Sequence, residues 1–164
     1  MSVIDELLAA NERYASGLGE VATPALPPSR RVAIVTCMDA RLLPARFLGL
    51  EEGEAHVIRN AGGRTPEALR SLVISQRLLG TNAVAVIQHT DCGMLTFKNE
   101  DLYAKVKQDL GEDASRIDFL PFSDLERNVR DDVAFLKDSP LIPDEIEIRG
   151  FVYDVHTRRL TPVT

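Results

Sequence analysis

Residues 32–41 read VAIVTCMDAR, in which an unbroken apolar run leads to a cysteine and then to an ionisable pair. An apolar run without polar interruptions is typical of a strand covered on both faces, as in a parallel sheet. Residues 83–87 have the same character, and residues 55–58 are predicted to form a further strand. Helices are predicted between these runs at residues 44–50 and 65–79. The alternation therefore predicts parallel strands joined by right-handed crossovers.

Capping residues predict where the helices begin and end. Thr65 is expected to cap a helix that has Pro66 at its first position and that closes at Gly80. Asn99 and Ser123 are expected to cap two later helices. These helices supply the outer layers of the predicted sheet.

The C-terminal segment predicts a change of strand direction. Residues 145–153 alternate polar and apolar side chains. Residues 158–163 are expected to return as an antiparallel edge strand after a turn at 154–157. The predicted fold is a single α/β domain with a mostly parallel sheet, an antiparallel edge strand, helices on both faces and an N-terminal helical arm.

The N-terminal residues predict a helix with no partner in its own segment. Ser2 and Asp5 have the spacing of a capping box, and apolar residues follow at helical spacing until about Gly17. Three prolines then favour an extended chain. Residues 1–30 are therefore expected to form an arm, and residues 31–164 the α/β domain. The helix of the arm must pack either back on its own domain or across a partner subunit.

Composition excludes several classes of function. The chain has 164 residues, 45% hydrophobic and 27% charged residues and a net charge of −6, typical of one ordinary globular domain. The negative charge argues against nucleic acid as a partner, because binding phosphate requires concentrated lysine and arginine. No apolar stretch approaches the roughly 20 residues that cross a bilayer, so no membrane partner is expected. The acidic start is unlike a secretion signal, and a cytoplasmic location is expected.

Cys37, His89 and Cys92 are the candidate metal ligands. They include both cysteines of the chain, and thiolate with imidazole is a donor set that suits zinc. Cys37 and His89 follow buried strands that can lie side by side, with their carboxyl ends at one edge of a doubly wound sheet. Three protein ligands leave one position of a tetrahedral ion open, which favours catalysis. The alternative is two unrelated buried thiols.

Asp39 and Arg41 lie within four residues of the first sulfur. Two thiolates neutralise a divalent ion, so its bound water is less acidified than on an all-histidine site. Asp39 is placed to accept a hydrogen bond from that water, and Arg41 to orient Asp39 through a forked, charge-assisted pair. A surface ion pair of little energetic value is the alternative.

Glycines follow two of the predicted strand ends. Residues 60–63, Asn-Ala-Gly-Gly, form either only a turn or a loop that presents amides to an anion, and Asn60, Gly62 and Gly93 are the candidates for such an anion loop. Cys92 and Gly93 are also expected to begin a helical turn, whose free amides lower the pKa of the Cys92 thiol.

The remaining histidines are interpreted without a catalytic role. His56 lies early in its strand, toward the edge opposite the site, and is expected to be structural. His156 is expected in an exposed turn. Asp91 has two alternatives, which are to orient an arginine or to cap the turn after His89.

The two ligand segments resemble a known family, the β-class carbonic anhydrases, in its short bacterial branch. The resemblance covers about residues 30–163. It is carried by Cys-x-Asp-x-Arg at 37–41, RNAGG at 59–63, His-x-x-Cys at 89–92, and GFVYDV at 150–155 with Thr157 and Leu160 beyond.

The resemblance implies one zinc ion per chain on Cys37, His89 and Cys92, with Asp39 and Arg41 as a catalytic dyad. It implies reversible hydration of carbon dioxide to bicarbonate and a proton. It also implies a homodimer, or a higher even oligomer, in which the helical arm embraces the partner. The α/β domain is then the zinc-binding catalytic domain.

Two features described for other family members are missing from this sequence. No glutamine precedes Val32 and the chain has no tryptophan, so neither a site glutamine nor the bicarbonate-binding aromatic arrangement of regulated members is carried over. Some members close their site through the aspartate, so Asp39 is a possible fourth ligand in a closed state. Raised pH is then expected to favour the open form, with low activity near neutral or acidic pH.

Two other functions fit the same residues. The sulfur-substrate hydrolases of the family share these ligands, so carbonyl sulfide or carbon disulfide is an alternative substrate. From a different class, a non-catalytic zinc protein or bicarbonate sensor is possible, although folding alone would not require the Asp39–Arg41 pair.

Overall fold

The computed structural model describes residues 2–19 and 23–164. The helices are α1 (Val3–Gly17), α2 (Pro44–Leu48), α3 (Thr65–Arg77), α4 (Asn99–Leu110) and α5 (Leu125–Lys137). The strands are β1 (Val32–Cys37), β2 (Ala55–Asn60), β3 (Ala83–His89), β4 (Glu147–Tyr153) and β5 (Leu160–Pro162). Short 3-10 turns, Ala61–Gly63 and Gly93–Leu95, follow β2 and β3.

The strands form one sheet in the order β2-β1-β3-β4-β5. β1 pairs in parallel with β2 and β3, β3 pairs in parallel with β4, and β5 runs antiparallel to β4. The predicted contact of β1 with β3 and the antiparallel edge strand are confirmed. Because the winding direction reverses between β1 and β3, the loops after these two strands leave a crevice at the carboxyl edge.

Helices cover both faces of the sheet, as predicted. α3 and α5 pack on one face, where Val35, Leu72 and Leu136 are fully buried. On the other face, the partly buried residues of α2 and the turns after β1 and β3 pack around Ile34 and Ile87. The apolar cluster around Ile34 and Ile87 also contains both cysteines, so the cysteines are surrounded by apolar side chains.

The predicted N-caps of α3 and α4 were wrong by one position. Thr65 and Asn99 are the first residues of these helices, and the residue before each is the N-cap. α3 begins at Thr65 because the Thr65 hydroxyl donates to the Asp132 carbonyl oxygen (2.9 Å), leaving Arg64 as the N-cap. α4 begins at Asn99, whose side-chain amide donates to the Asp118 carboxylate (2.8 Å) in a neighbouring loop. Tertiary contacts therefore decided these two starts.

The start of α5 and the end of α3 also differ slightly from the prediction. Asp124, rather than Ser123, is the N-cap of α5, and its carboxylate accepts the Arg127 N–H (2.9 Å). Aspartate and serine are comparable N-caps, so local preference alone did not separate them. α3 ends at Arg77, and Gly80 follows with a left-handed φ of 70° in the turn to β3.

The N-terminal helix forms as predicted and leaves its apolar side chains uncovered. The capping box is present, with Ser2 N–H donating to Asp5 (2.8 Å) and Asp5 N–H to Ser2 (3.2 Å), and α1 ends at Gly17. Among the described residues, none in α1 is buried, and Ile4 and Leu7 are each 60% exposed. Across residues 2–19 and 23–164, no helix has the length and apolar character needed to span a membrane.

Candidate metal centre

Cys37, His89 and Cys92 come together at the carboxyl edge of the sheet. Cys37 is the last residue of β1, His89 the last residue of the adjacent β3, and Cys92 the N-cap of the following 3-10 turn. All three are buried, and their ligand atoms lie within 4.8 Å of one another. Neither cysteine forms a disulfide. The strand register therefore assembles two sulfurs and one nitrogen at a spacing suited to a single ion.

The histidine is oriented with one ring nitrogen toward the two sulfurs. His89 Nδ1 lies 2.8 Å from the Thr90 carbonyl oxygen, so Nδ1 carries the proton that this bond requires. His89 Nε2 is buried and has no hydrogen-bond partner among the described residues. A buried nitrogen lone pair without a donor is costly, whereas a metal ion would satisfy it. Two thiols and this free imidazole nitrogen fit zinc.

The two thiols have opposite pKa shifts. The hydrogen bond from Cys92 is the main reason that the pKa of Cys37 lies well below its usual range, and the Gly62 N–H also donates to Cys37 Sγ (3.3 Å). The same hydrogen bond to Cys37, together with burial, raises the pKa of Cys92. The Met94 N–H of the turn lowers the pKa of Cys92, as predicted, but the Cys37 thiolate and burial outweigh it in the protein alone. A divalent cation would replace the shared proton.

Asp39 and Arg41 form the forked pair that the sequence predicted. Arg41 Nε donates to Asp39 Oδ1 (3.0 Å), Nη2 donates to Oδ2 (2.8 Å), and the Arg41 backbone N–H donates to Oδ1 (2.9 Å). These bonds hold the pKa of Asp39 well below its usual range, so the carboxylate is charged. Asp39 Oδ2 lies 3.8 Å from His89 Nε2. The carboxylate thus adjoins the ligand cluster while remaining bound to Arg41.

Asp91 holds the opposite side of the same guanidinium. Arg41 Nη1 donates to Asp91 Oδ2 (2.7 Å), and Nη2 donates to the Asp91 carbonyl oxygen (2.8 Å). Asp91 has a left-handed φ of 54°, and one carboxylate oxygen and its carbonyl oxygen both accept from Arg41. Of the two alternatives for Asp91, the structure supports orientation of an arginine.

Arg59 is a site residue to which the sequence reasoning gave no role. Its Nε donates to the Cys37 carbonyl oxygen (3.0 Å) and its Nη2 to the Asp39 carbonyl oxygen (2.7 Å). These bonds fix the backbone that carries the first ligand and the carboxylate. Its position in the RNAGG motif, before a candidate loop, was the only sequence signal.

The polar groups of the candidate anion loop, residues 60–63, bond mainly to other groups of the protein. The Asn60 side chain accepts from the Arg64 N–H (2.7 Å) and donates to the Arg64 carbonyl (2.9 Å), which closes the loop on itself. Gly62, at φ 81°, directs its N–H to a sulfur. A Cβ on Gly63, at φ 64°, would lie 2.8 Å from the Thr36 carbonyl carbon. Residues 60–63 therefore pack against the end of β1, where they help to position Cys37.

Gly93 and the two other histidines have simpler surroundings. A Cβ on Gly93 would meet no atom within 4 Å, so space does not require a glycine there. His56 pairs in register with Ala33 near the start of β1, and its Nδ1 lies 2.8 Å from Ser75 Oγ, far along the strand from Cys37. His156 is exposed in the turn before β5, as predicted.

A cavity of about 540 Å³ lies beside the guanidinium of Arg41. Phe47 and Tyr153 form one wall, with ring centroids 4.4 Å apart. The residues that line the cavity are Arg41, Leu43, Arg46, Phe47, Tyr153, Val155 and Arg158. The approach to the carboxylate–arginine pair therefore combines an apolar wall with positive charge.

Comparisons with known proteins agree with this geometry. A family model described as carbonic anhydrase matches residues 32–160. A protein of Mycobacterium tuberculosis named β-carbonic anhydrase 1 is 46% identical over 167 residues, covering all of this chain and 99% of that protein. A crystal structure of carbonic anhydrase from Streptococcus mutans superimposes with a TM-score of 0.94 at 52% identity, covering 100% and 99% of the two chains. A carbon disulfide hydrolase of Saccharolobus solfataricus is 36% identical over 160 residues, covering 82% of this chain and 78% of that protein.

Proposed function

This chain belongs to the carbonic anhydrase family, in its β-class, and we propose that it catalyses the reversible hydration of carbon dioxide to bicarbonate and a proton. The observation that carries the proposal is the buried cluster of Cys37, His89 and Cys92 beside the Asp39–Arg41 pair. A binding site alone would not need a charged carboxylate held next to an open ligand set.

Zinc is the cofactor, and Cys37, His89 and Cys92 would hold one ion per chain. When bound, the ion would supply Lewis acidity that lowers the pKa of water, although less strongly than on an all-histidine site because two thiolates offset its charge. The protein supplies the remaining chemistry. Asp39, kept ionised by Arg41, accepts a hydrogen bond from the nucleophile and orients its lone pair. Asn60, Gly62 and Gly93 are proposed as the loop residues that surround the anionic product, with Gly62 also donating to a ligand sulfur.

Asp39 has a second proposed position, as the fourth ligand of a closed site. Its three hydrogen bonds from Arg41 support the open arrangement, because closure would break all of them. Structures determined at low and high pH test the proposed switch. Asp39 bound to Arg41 at both pH values would contradict it.

The activity is tested by stopped-flow hydration of carbon dioxide on protein of known zinc content, across a range of pH. Cys37→Ala protein, depleted of metal, is the control for background hydration. A metal-loaded protein that does not accelerate hydration above this control at any pH would overturn the proposal. Parallel turnover of carbon disulfide and carbonyl sulfide separates the two substrate classes. Preference for a sulfur substrate would move this chain to the hydrolase branch.

We propose a homodimer, or a higher even oligomer, with residues 2–17 at the interface. The uncovered apolar side chains of α1 support this proposal, since a 15-residue helix buries such a face in a stable protein. The arm of residues 1–30 is then an assembly element, and residues 31–164 are the catalytic domain. Sedimentation at micromolar concentration tests the assembly, and cell fractionation tests the expected cytoplasmic location.

A further inference from the structure

A buried ion pair lies behind the site loop. Arg64 Nη2 donates to Asp132 Oδ1 (2.9 Å), and Arg64 Nε donates to Asp132 Oδ2 (3.0 Å). The side chains are only 11% and 2% exposed. The pair joins the residue before α3 to the middle of α5. A charged pair at this depth costs desolvation energy and is a poor source of net stability, so its value must be sought in what it positions.

Further buried groups complete the contacts of the Asp132 carboxylate. Asp132 Oδ2 accepts from the Thr65 N–H (3.1 Å) and from Gln88 Nε2 (3.0 Å). The oxygen of Gln88 in turn accepts from Asn128 Nδ2 (2.7 Å). The carboxylate therefore connects α3, α5 and β3. Its contact in β3 is Gln88, the residue before the proposed ligand His89. A network with this many satisfied groups has a single geometry and fixes the elements that it joins.

The Arg64 end of the network controls the loop that touches Cys37. Asn60 bonds both backbone polar groups of Arg64, so residues 60–64 form a closed loop whose far end is anchored by the ion pair. Gly62 lies inside this loop, and its N–H donates to Cys37 Sγ (3.3 Å). Any shift of Arg64 would therefore move the donor that faces the sulfur.

Arg64 also holds Phe122, which together with Met94 packs against Gly62 and is called here the Met94–Phe122 wall. Its Nη1 donates to the carbonyl oxygen of Leu120, a residue with a left-handed φ of 56°, and its guanidinium lies 5.7 Å from the ring centroid of Phe122. The Phe122 N–H donates to the Met94 carbonyl (3.2 Å). A Cβ on Gly62 would approach Met94 Cγ to 3.0 Å and Phe122 Cε1 to 3.2 Å. The wall thus touches the loop and continues into the turn that begins at Cys92.

We propose that Arg64 and Asp132 are positioning residues for the metal centre. They hold the Gly62 N–H on the Cys37 sulfur and the Met94–Phe122 wall against the loop. They act through these groups and do not touch substrate. A hydrogen bond to a thiolate ligand withdraws electron density from sulfur, so the pair tunes how strongly Cys37 donates to the metal. The effect on turnover rests on the proposed function, whereas the effect on the ligand does not.

The experiment compares Asp132→Asn with Asp131→Asn in cobalt-substituted protein. Asp131 is the neighbouring residue of α5, but it is exposed and pairs only at 3.8 Å with Arg127. We expect Asp132→Asn to move the thiolate-to-cobalt charge-transfer band to lower energy and to lower kcat by about tenfold, with KM unchanged. Asp131→Asn should match the wild type in all three readouts.

Arg64→Lys is a second variant that tests whether the Arg64–Asp132 pair positions the metal centre. Lysine keeps the charge but cannot reproduce the fork to Asp132 together with the bond to Leu120. If Asp132→Asn does not fold, the cobalt spectrum of Arg64→Lys decides, recorded well below its unfolding midpoint. A lowered midpoint with an unchanged spectrum and kcat would show a purely structural role and overturn the proposal. A shifted spectrum supports the positioning role even if carbon dioxide proves not to be the substrate.

Discussion

Replacing Asp39 with asparagine should separate catalysis from both folding and metal binding. The carboxylate uses both oxygens to accept three hydrogen bonds from Arg41. Asparagine has one oxygen and one amide nitrogen, so at least one Arg41 donor must then face another donor. The proposed ligands Cys37, His89 and Cys92 are unchanged, and zinc should be retained.

The expected effect on stability is small because the pair is partly exposed. The Arg41 side chain is 47% and the Asp39 side chain 19% exposed, and ion pairs of this kind contribute about 0–1 kcal/mol. For a chain of this size, that corresponds to a change of at most about 4 °C in Tm. Since Arg41 depresses the pKa of Asp39, the charged pair is present at every pH above the usual aspartate range and weakens only in acid.

The expected effect on turnover is much larger. Loss of a hydrogen-bond acceptor that orients the nucleophile next to a metal lowers activity by about 10- to 100-fold, so kcat should fall by at least about tenfold. Zinc analysis, thermal unfolding and stopped-flow hydration measure the three quantities on one preparation. Asp113→Asn is the control, since Asp113 is an exposed carboxylate that accepts from the Ser115 N–H (2.9 Å). A zinc-loaded Asp39→Asn enzyme with wild-type kcat would refute the role given to this carboxylate.

Three further predictions follow from other parts of the structure. Gly63→Ala should destabilise the fold by at least about 2 kcal/mol in urea titrations, because a left-handed alanine costs about 1–2 kcal/mol and the close contact with Thr36 adds about 1–3. Gly111→Ala, left-handed but uncrowded, should lose only the first amount, and equal losses would contradict the packing argument. Cys37→Ala should bind less than a tenth of the wild-type zinc after dialysis against competing chelator, and full occupancy would remove Cys37 from the ligand set. Deletion of residues 2–17 should convert the proposed oligomer to monomer in sedimentation, whereas an unchanged mass would place the interface elsewhere.

The secondary structure followed closely from local sequence patterns. Unbroken apolar runs marked β1 and β3, and the capping box at Ser2 marked the start of α1. These signals depend on neighbours within a few residues, whose effect is the same in the isolated segment and in the fold. The predicted caps at Thr65 and Asn99 failed because those side chains bond to partners distant in sequence.

The candidate ligands could also be predicted, for a related reason. Cys37 and His89 end apolar runs, and parallel strands place their ends at one edge, so two sequence positions imply one spatial site. Cys92 adds a third donor three residues further on. The chemistry of sulfur and imidazole then restricts the choice of metal.

The surroundings of the site depended on the tertiary structure alone. Asp91 meets Arg41, and Asp132 meets Arg64, across 50 and 68 positions of the chain. Nothing in a local pattern distinguishes these carboxylates from the many exposed ones, because their roles follow from which partner the packed strands and helices bring within 3 Å. Asp132 lies on the buried face of α5, and Arg64 comes within reach of it only once the chain has folded.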